Sequence, residues 1–303
     1  MRGILRQKKI GHTGTLDPDA VGVLVVCLGT GTKLVEMLTD HDKEYIAVVK
    51  LGVTTDTQDL SGTVLEERPV EVSLDEVRSA LQAFQGSYDQ IPPMYSAIKV
   101  GGKRLYELAR KGEEVERKPR QVEIKAISLL DATDFDTTHT FTMEVKCSKG
   151  TYIRTLCQDI GERLGCGAAM AHLTRTAVGA FHLESAMTLD QVEESRDDGT
   201  LDERIMDVDY IFRDLDMIHV TEEAQKLVDN GNPFRIGDVS GDKGDGSECH
   251  LNPKVTFRTA PFVTEEEFTD GERVRVYRAD DTFVGIYRYD ARRRQFMVEK
   301  MLG

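Results

Sequence analysis

No apolar run in this 303-residue chain approaches the roughly 18 residues that a membrane-spanning helix needs. The longest, Ala20 to Leu28, is interrupted by Gly22. The first residues, Met1-Arg2-Gly3-Ile4-Leu5-Arg6, lack the apolar core of a secretion signal. A membrane protein is therefore excluded and a cytoplasmic one expected. Cysteine is scarce: Cys27, Cys147, Cys157, Cys166 and Cys249, an odd number with no C-x-x-C spacing. Neither a disulfide framework nor a zinc knuckle is written in that pattern, and reduced, buried thiols are expected. Several catalytic signatures are missing too. Gly29-Thr-Gly-Thr-Lys33 lacks the order of a phosphate loop, and no G-x-G-x-x-G opens a helix. No H-E-x-x-H or close His pair points to a metal, and no G-x-S-x-G to a serine hydrolase.

What is present describes a folded, charged chain. Hydrophobic residues make up 40% and charged residues 30%, with a mean hydropathy of -0.37. The length fits one large domain or two. The net charge of -14 argues against a polyanionic partner at first sight. Its distribution reverses that. Residues 1–180 carry 23 basic and 25 acidic side chains, whereas residues 181–220 carry 3 and 12. Within the near-neutral part, Lys99 to Lys125 holds nine basic residues against five acidic ones. A local basic surface is compatible with this composition.

Periodicity outlines the elements. Val21 to Cys27 reads as a buried strand, Thr32 to Leu38 as a turn or two of helix, and Tyr45 to Leu51 as a strand closed by Gly52. Ser73-Leu-Asp-Glu76 has the form of a capping box, opening a helix with Leu74, Val77, Leu81 and Phe84 on one face. Lys103 to Lys111 reads as helical, Gln121 to Leu130 as a strand. Phe141 to Cys147 alternates as a half-buried strand, and Tyr152 to Leu164 is an amphipathic helix stopped at Gly165. The acidic stretch Glu193 to Asp216 reads as a helical excursion or linker. Beyond it come a short helix capped by Thr221, a Gly/Asp-rich loop from Gly237 to Gly246, and three short strands (Arg273 to Ala279, Thr282 to Tyr289, Gln295 to Lys300). The expected fold is α+β: a mixed, largely antiparallel sheet domain over residues 1–215, then a small β-rich domain over residues 216–303.

The most informative segment is Gly11-His12-Thr-Gly-Thr-Leu-Asp17-Pro18. Glycines, hydroxyls, a histidine and a carboxylate gather in one loop, and Pro18 pushes Asp17 out of helical dihedrals. Local sequence leaves two readings of Asp17 open, an Asx-turn that only bonds nearby N–H groups and a catalytic carboxylate. Three further segments follow: Asp42-Lys-Glu-Tyr45, Ile91-Pro-Pro-Met-Tyr-Ser-Ala-Ile-Lys99 and Cys147-Ser-Lys-Gly-Thr-Tyr-Ile-Arg154. Gly165-Cys-Gly-Ala-Ala-Met-Ala-His-Leu173 comes after them. In this order they resemble the TruB family of tRNA pseudouridine synthases over nearly all of residues 1–190.

The resemblance implies an isomerase that flips a T-loop uridine of tRNA, position 55, out of its stack and reattaches the base through carbon. No redox change is involved, hence no cofactor or metal is expected. Asp17 would be the nucleophile and Arg154 would keep it ionised and oriented. Tyr45 would lie against the base and serve as a proton acceptor. His12, Tyr152 and Leu173 would complete the base pocket, although Leu173 also reads as plain core. Lys99, Lys103, Arg104 and Lys149 would meet RNA phosphates. Residues 216–303 resemble the family's PUA-like domain, with Arg292-Arg293-Arg294 either near the acceptor arm or in a solvated turn. Family members carry roughly 20–30 residues more ahead of the Gly-His-Thr-Gly motif, about one strand and one helix, so the chain is expected to start late. The resemblance implies tRNA, bound at its T-arm or elbow, as partner of a monomer with no obligatory protein partner. A protein of the same fold that folds tRNA without turnover is the alternative.

Overall fold

The computed structural model describes residues 1–240 and 268–303. Cys249 and positions 241–246 of the Gly/Asp-rich loop lie outside the described residues. The chain packs as two compact units, one of residues 11–27 and 34–188, the other of residues 1–10, 28–33 and 189–303.

The first unit is built on one sheet. In chain order its elements are β1 (Val21–Gly22), β2 (Lys43–Leu51), α1 (Leu74–Ala83), β3 (Gly86–Gln90), β4 (Arg120–Asp131), β5 (Thr140–Cys147), α2 (Ile153–Arg163), β6 (Ala168–Val178) and β7 (Phe181–His182). The strands run β7-β6-β2-β5-β4-β3, and β1 joins the side of β6. Every pairing is antiparallel except β1 with β6. The α+β expectation holds.

The period-two pattern decides which face is covered. Tyr45, Ala47, Val49 and Leu51 of β2 point to one side with Phe141, Met143 and Val145 of β5. They join one core cluster with Val77, Ala80 and Leu81 of α1 and Ile153, Leu156, Cys157 and Ile160 of α2. Burying each such large side chain stabilises by about 1.5–3 kcal/mol. The capping box forms as read: Ser73 Oγ accepts from Glu76 N–H and Glu76 returns a bond to Ser73 N–H.

Three local readings are corrected. Val21 to Cys27 is not one buried strand. Gly22 sits at φ +108 and divides it into β1 and a short strand Val26–Leu28, leaving Val21 and Leu24 exposed. Lys103 to Lys111 is not one helix. Gly101 and Gly102, both at positive φ, turn a hairpin that pairs Lys99 with Arg104 and Val100 with Lys103. Only Leu105–Ala109 is helical, anchored by Leu105 and Leu108 in a small cluster with Met94. Finally, the long strand β6 went unread, because its alanines are poor strand formers. The first of them, Ala168, lies where α2 comes close: a Cβ on Gly161 would stand 2.2 Å from the Ala168 nitrogen.

The second unit holds α3 (Leu189–Asp198), β8 (Asp216–His219), α4 (Gln225–Asp229), β9 (Arg273–Tyr277), β10 (Phe283–Asp290) and β11 (Gln295–Met301). Its four-stranded sheet runs β8-β9-β10-β11, with β8 parallel to β9 and the rest antiparallel. The core is aromatic: the Phe296 ring stacks on Phe234 at 5.0 Å and meets Phe268 edge-on at 5.0 Å. The Arg292–Arg294 run is a turn whose first two N–H groups bond the Asp290 carboxylate. Among the described residues no helix is long and apolar enough to cross a membrane. Cys27, Cys147, Cys157 and Cys166 are buried free thiols.

Candidate active site

The loop from Gly11 to Pro18 is tied down before it reaches its carboxylate. Thr13 is buried and its N–H donates to Val25 O at 3.1 Å. His12 is exposed, with Nδ1 2.6 Å from Gly14 O. The backbone then turns, Ala20 N–H donating to Asp17 O at 3.0 Å. The Asp17 side chain does not close an Asx-turn. It faces Arg154.

Arg154 is the second residue of α2 and only 5% exposed. A guanidinium carries five N–H donors and no acceptor, and burying its charge is costly unless it is paired and hydrogen-bonded. The site meets that demand from several directions. Nη2 donates to Asp17 Oδ1 at 3.1 Å and to Tyr95 O at 2.9 Å. Nη1 donates to Thr57 O at 2.8 Å and lies 3.6 Å from Asp59 Oδ2. Nε lies 2.8 Å from Asp17 Oδ2, off the line of its N–H, so this is a contact of charges rather than a hydrogen bond. Asp17 is thus gripped along both carboxylate oxygens, while its side chain keeps 37% of its surface open.

The segment supplying Thr57 and Asp59 was not foreseen. Asp59 Oδ1 accepts from Thr57 Oγ1 at 2.7 Å and from Ser61 Oγ at 2.6 Å. Gln58 stands at φ 65 and accepts from Thr155 Oγ1 at 2.7 Å, one residue beyond Arg154. The signal was the density of hydroxyls and carboxylates in Thr54-Thr-Asp-Thr-Gln-Asp-Leu-Ser-Gly62. Gln90, also unforeseen, is 1% exposed and clasps Tyr152: its Oε1 accepts from Tyr152 N–H at 2.7 Å and its Nε2 donates to Tyr152 O at 3.0 Å. That clasp fixes the residue that opens α2.

Tyr45 and Tyr152 both lie near enough to Asp17 to feel its charge. Burial pushes the Tyr45 hydroxyl up to about 12, with the Arg175 guanidinium pulling the other way. Burial also raises Tyr152. Both hydroxyls are therefore neutral near pH 7. Leu173 is 5% exposed and belongs to the same core cluster as Tyr45.

The basic residues fall elsewhere. Lys99, Lys103 and Arg104 stand exposed on the hairpin. Arg104 and Arg110 flank the Tyr106 ring at 5.8 and 5.5 Å. Lys149 pairs with Asp40 at 2.8 Å, both well exposed. A cleft of about 370 Å³ lined by Asp40, His41, Asp42, Glu44, Lys146 and Gly179 includes neither Asp17 nor Arg154. Its carboxylates are paired with Lys149, Lys125 and Lys146. Among the described residues no three His, Cys, Asp or Glu side chains gather as a metal-binding group.

Comparisons with known proteins identify the family. The family model described as TruB family pseudouridylate synthase (N terminal domain) matches residues 2–153, and that of the tRNA pseudouridylate synthase B C-terminal domain matches residues 154–213. The tRNA pseudouridine synthase B of Lachnoclostridium phytofermentans is 46% identical, covering 99% of this chain and 92% of that protein. That of Bacillus pumilus is 44% identical, covering 76% of each. A solved Cbf5-Nop10-Gar1 complex holds a chain of the same fold, with a TM-score of 0.65 at 23% identity over 100% of this chain and 79% of that one. With matching family models over more than two thirds of its length and a relative this similar end to end, the chain belongs to the TruB family of pseudouridylate synthases.

Proposed function

We propose that this protein isomerises uridine to pseudouridine in tRNA, at T-loop position 55, with Asp17 as nucleophile. The observation that carries the assignment is the Asp17–Arg154 pair, an open carboxylate held on both oxygens by a buried guanidinium. Such a partner holds the carboxylate in one orientation, which an attack on a single atom needs. The reaction breaks the C1′–N1 bond and forms a C1′–C5 bond; C5 loses its hydrogen as a proton and N1 takes up a proton in its place, so the product is an isomer. Asp17 is regenerated, so the balance needs neither oxidant nor reductant.

The other roles follow from position. Tyr45 and Tyr152 flank the flipped base, and Leu173 supports them from the core. Tyr45, neutral at rest, accepts a proton only in concert with giving up its own. His12, exposed beside the loop, occupies space that the base vacates. Lys99, Lys103 and Arg104 meet phosphates, and Lys149 does so by leaving Asp40. Residues 1–215 act as the catalytic domain and residues 216–303 as a PUA-like RNA-binding domain. The protein works as a monomer in the cytoplasm without an obligatory protein partner.

The test is tritium release from tRNA carrying [5-³H]uridine. The purified chain should release one tritium per tRNA in the presence of excess EDTA, the tRNA having been folded beforehand. Asp17→Asn, nearly isosteric, should bind tRNA as the parent does and release none. Turnover by pure Asp17→Asn protein refutes the nucleophile. A parent that refolds tRNA but releases nothing is a chaperone.

A further inference from the structure

Arg175 is a second buried guanidinium, 3% exposed, and no step above uses it. It stands on β6 directly opposite Tyr45 of β2, and on the other side opposite Gly22 of β1. Its Nε donates to Val23 O at 2.7 Å, while its own carbonyl accepts from Val23 N–H at 2.8 Å. Both main-chain polar groups of Val23 thus end on one residue. A Cβ on Gly22 would stand 2.2 Å from the Arg175 carbonyl oxygen, and one on Gly14 would stand 3.6 Å from Nη1. The guanidinium therefore lies against both ends of the loop that carries Asp17. Among the described residues no carboxylate lies within ion-pair distance of it. On the paired strand the Tyr45 hydroxyl feels its charge.

This geometry has a chemical consequence. Arginine is a cation that only donates, so beside Tyr45 it favours the lone-pair side of the phenolic oxygen facing it. The hydroxyl's single proton must then point away from Arg175. A neutral donor would hold Val23 equally well, and burying an unpaired charge for that purpose alone is costly. We propose that Arg175 is a positioning residue that holds both ends of the nucleophile loop and sets the Tyr45 hydroxyl as a donor turned toward the reacting base. The proposal rests on the function proposed above.

The experiment uses the full chain with Arg175→Gln, Arg175→Lys, Tyr45→Phe and the two double variants, each first checked by thermal unfolding. Displacement of reacting groups by about an ångström costs on the order of 100-fold, so Arg175→Gln should lower the single-turnover rate about 30- to 100-fold. Affinity for tRNA should stay within about 3-fold, since Arg175 is buried away from phosphates. In the Tyr45→Phe background the same change should cost at most about 5-fold, because the groups act as one. Equal losses in both backgrounds overturn the proposal. Arg175→Lys carries the same comparison if the glutamine variant does not fold. Hydrogen exchange supplies a measurement independent of turnover: the Thr13 and Val23 amides should exchange faster in Arg175→Gln while β2 and β5 stay protected. Unchanged exchange there overturns the clamp. A parent that releases no tritium refutes the proposed function and leaves the exchange result to judge Arg175.

Discussion

Arg154 and Arg104 carry the same side chain in the same unit, and the fold places them in opposite environments. Arg154 is buried, and two side chains and two backbone carbonyls converge on it from three segments of chain. Arg104 is exposed on a two-residue strand, touching the neighbouring Tyr106 ring and hydroxyl. A buried charge is strong, directional and intolerant of change, because each lost partner leaves a desolvated group behind. An exposed charge is weak alone, screened by salt, and adds to its neighbours. The first kind suits chemistry on one bond. The second suits a grip on a polyanion.

The contrast is tested most severely at Arg154→Lys. The charge remains but the planar fork is lost, so the single-turnover rate should fall by about 100- to 1,000-fold, roughly 3–4 kcal/mol of barrier. Binding of tRNA should change little. A rate within a few-fold of the parent would mean that charge alone suffices.

Asp59→Asn removes the second carboxylate beside Arg154 while keeping its shape. The guanidinium then leans on Asp17 and the two carbonyls, and the rate should fall about 10-fold, a loss of about 1.4 kcal/mol. Single-turnover tritium release reads this directly, and an unchanged rate would remove Asp59 from the network.

The exposed region answers to salt. Lys103, Arg104, Arg110 and Lys111 replaced together by Gln should weaken tRNA binding and flatten the slope of log K against log salt by about 3, each phosphate contact contributing roughly 0.7–0.9. The rate on bound tRNA should hold. Titrations of parent and variant at several salt concentrations decide it, and an unchanged slope retires the hairpin as an RNA grip.

The smallest effect belongs to a partly buried carboxyl that no cation pairs with among the described residues. Burial, with nearby Glu162 adding to it, raises the Asp159 carboxyl to about 6. A folded value above the unfolded one of about 3.9 means that the fold prefers the neutral acid. That preference contributes stability below the unfolded value and is lost as the pH rises through about 6. Asp159→Asn should therefore raise the unfolding midpoint by a few degrees at pH 8 and leave it unchanged near pH 4. Thermal melts at both values check the sign.

Legibility follows the same division between local and distant causes. The Ser73–Glu76 capping box, the alternation of β2 and β5 and the stop at Gly165 were readable because each depends on residues a few positions apart. Asp17, Tyr45 and Arg154 were readable as members of ordered motifs. Strand β6 was hidden by its alanines, the first of which, Ala168, answers to Gly161 in another element. Thr57, Asp59 and Gln90 were hidden because the hydroxyls and carboxylates around Thr57 and Asp59 mark a polar loop without naming its partner, and nothing near Gln90 calls for it. They matter only where Arg154 and Tyr152 arrive in space.

Composition, periodicity and motif order by themselves determined the class of the fold, the family and the chemical groups available to it. Those properties reside in neighbouring residues and survive in an extended chain. Which oxygens grip a buried guanidinium, which loop residue Arg175 ties to β6, and whether Asp17 closes its own turn or faces α2 were decided only by tertiary structure. Residues 17 and 154 are brought within 2.8 Å across more than a hundred positions of chain, and pairing at that range is set by sheet register and by the cost of leaving a buried charge unanswered.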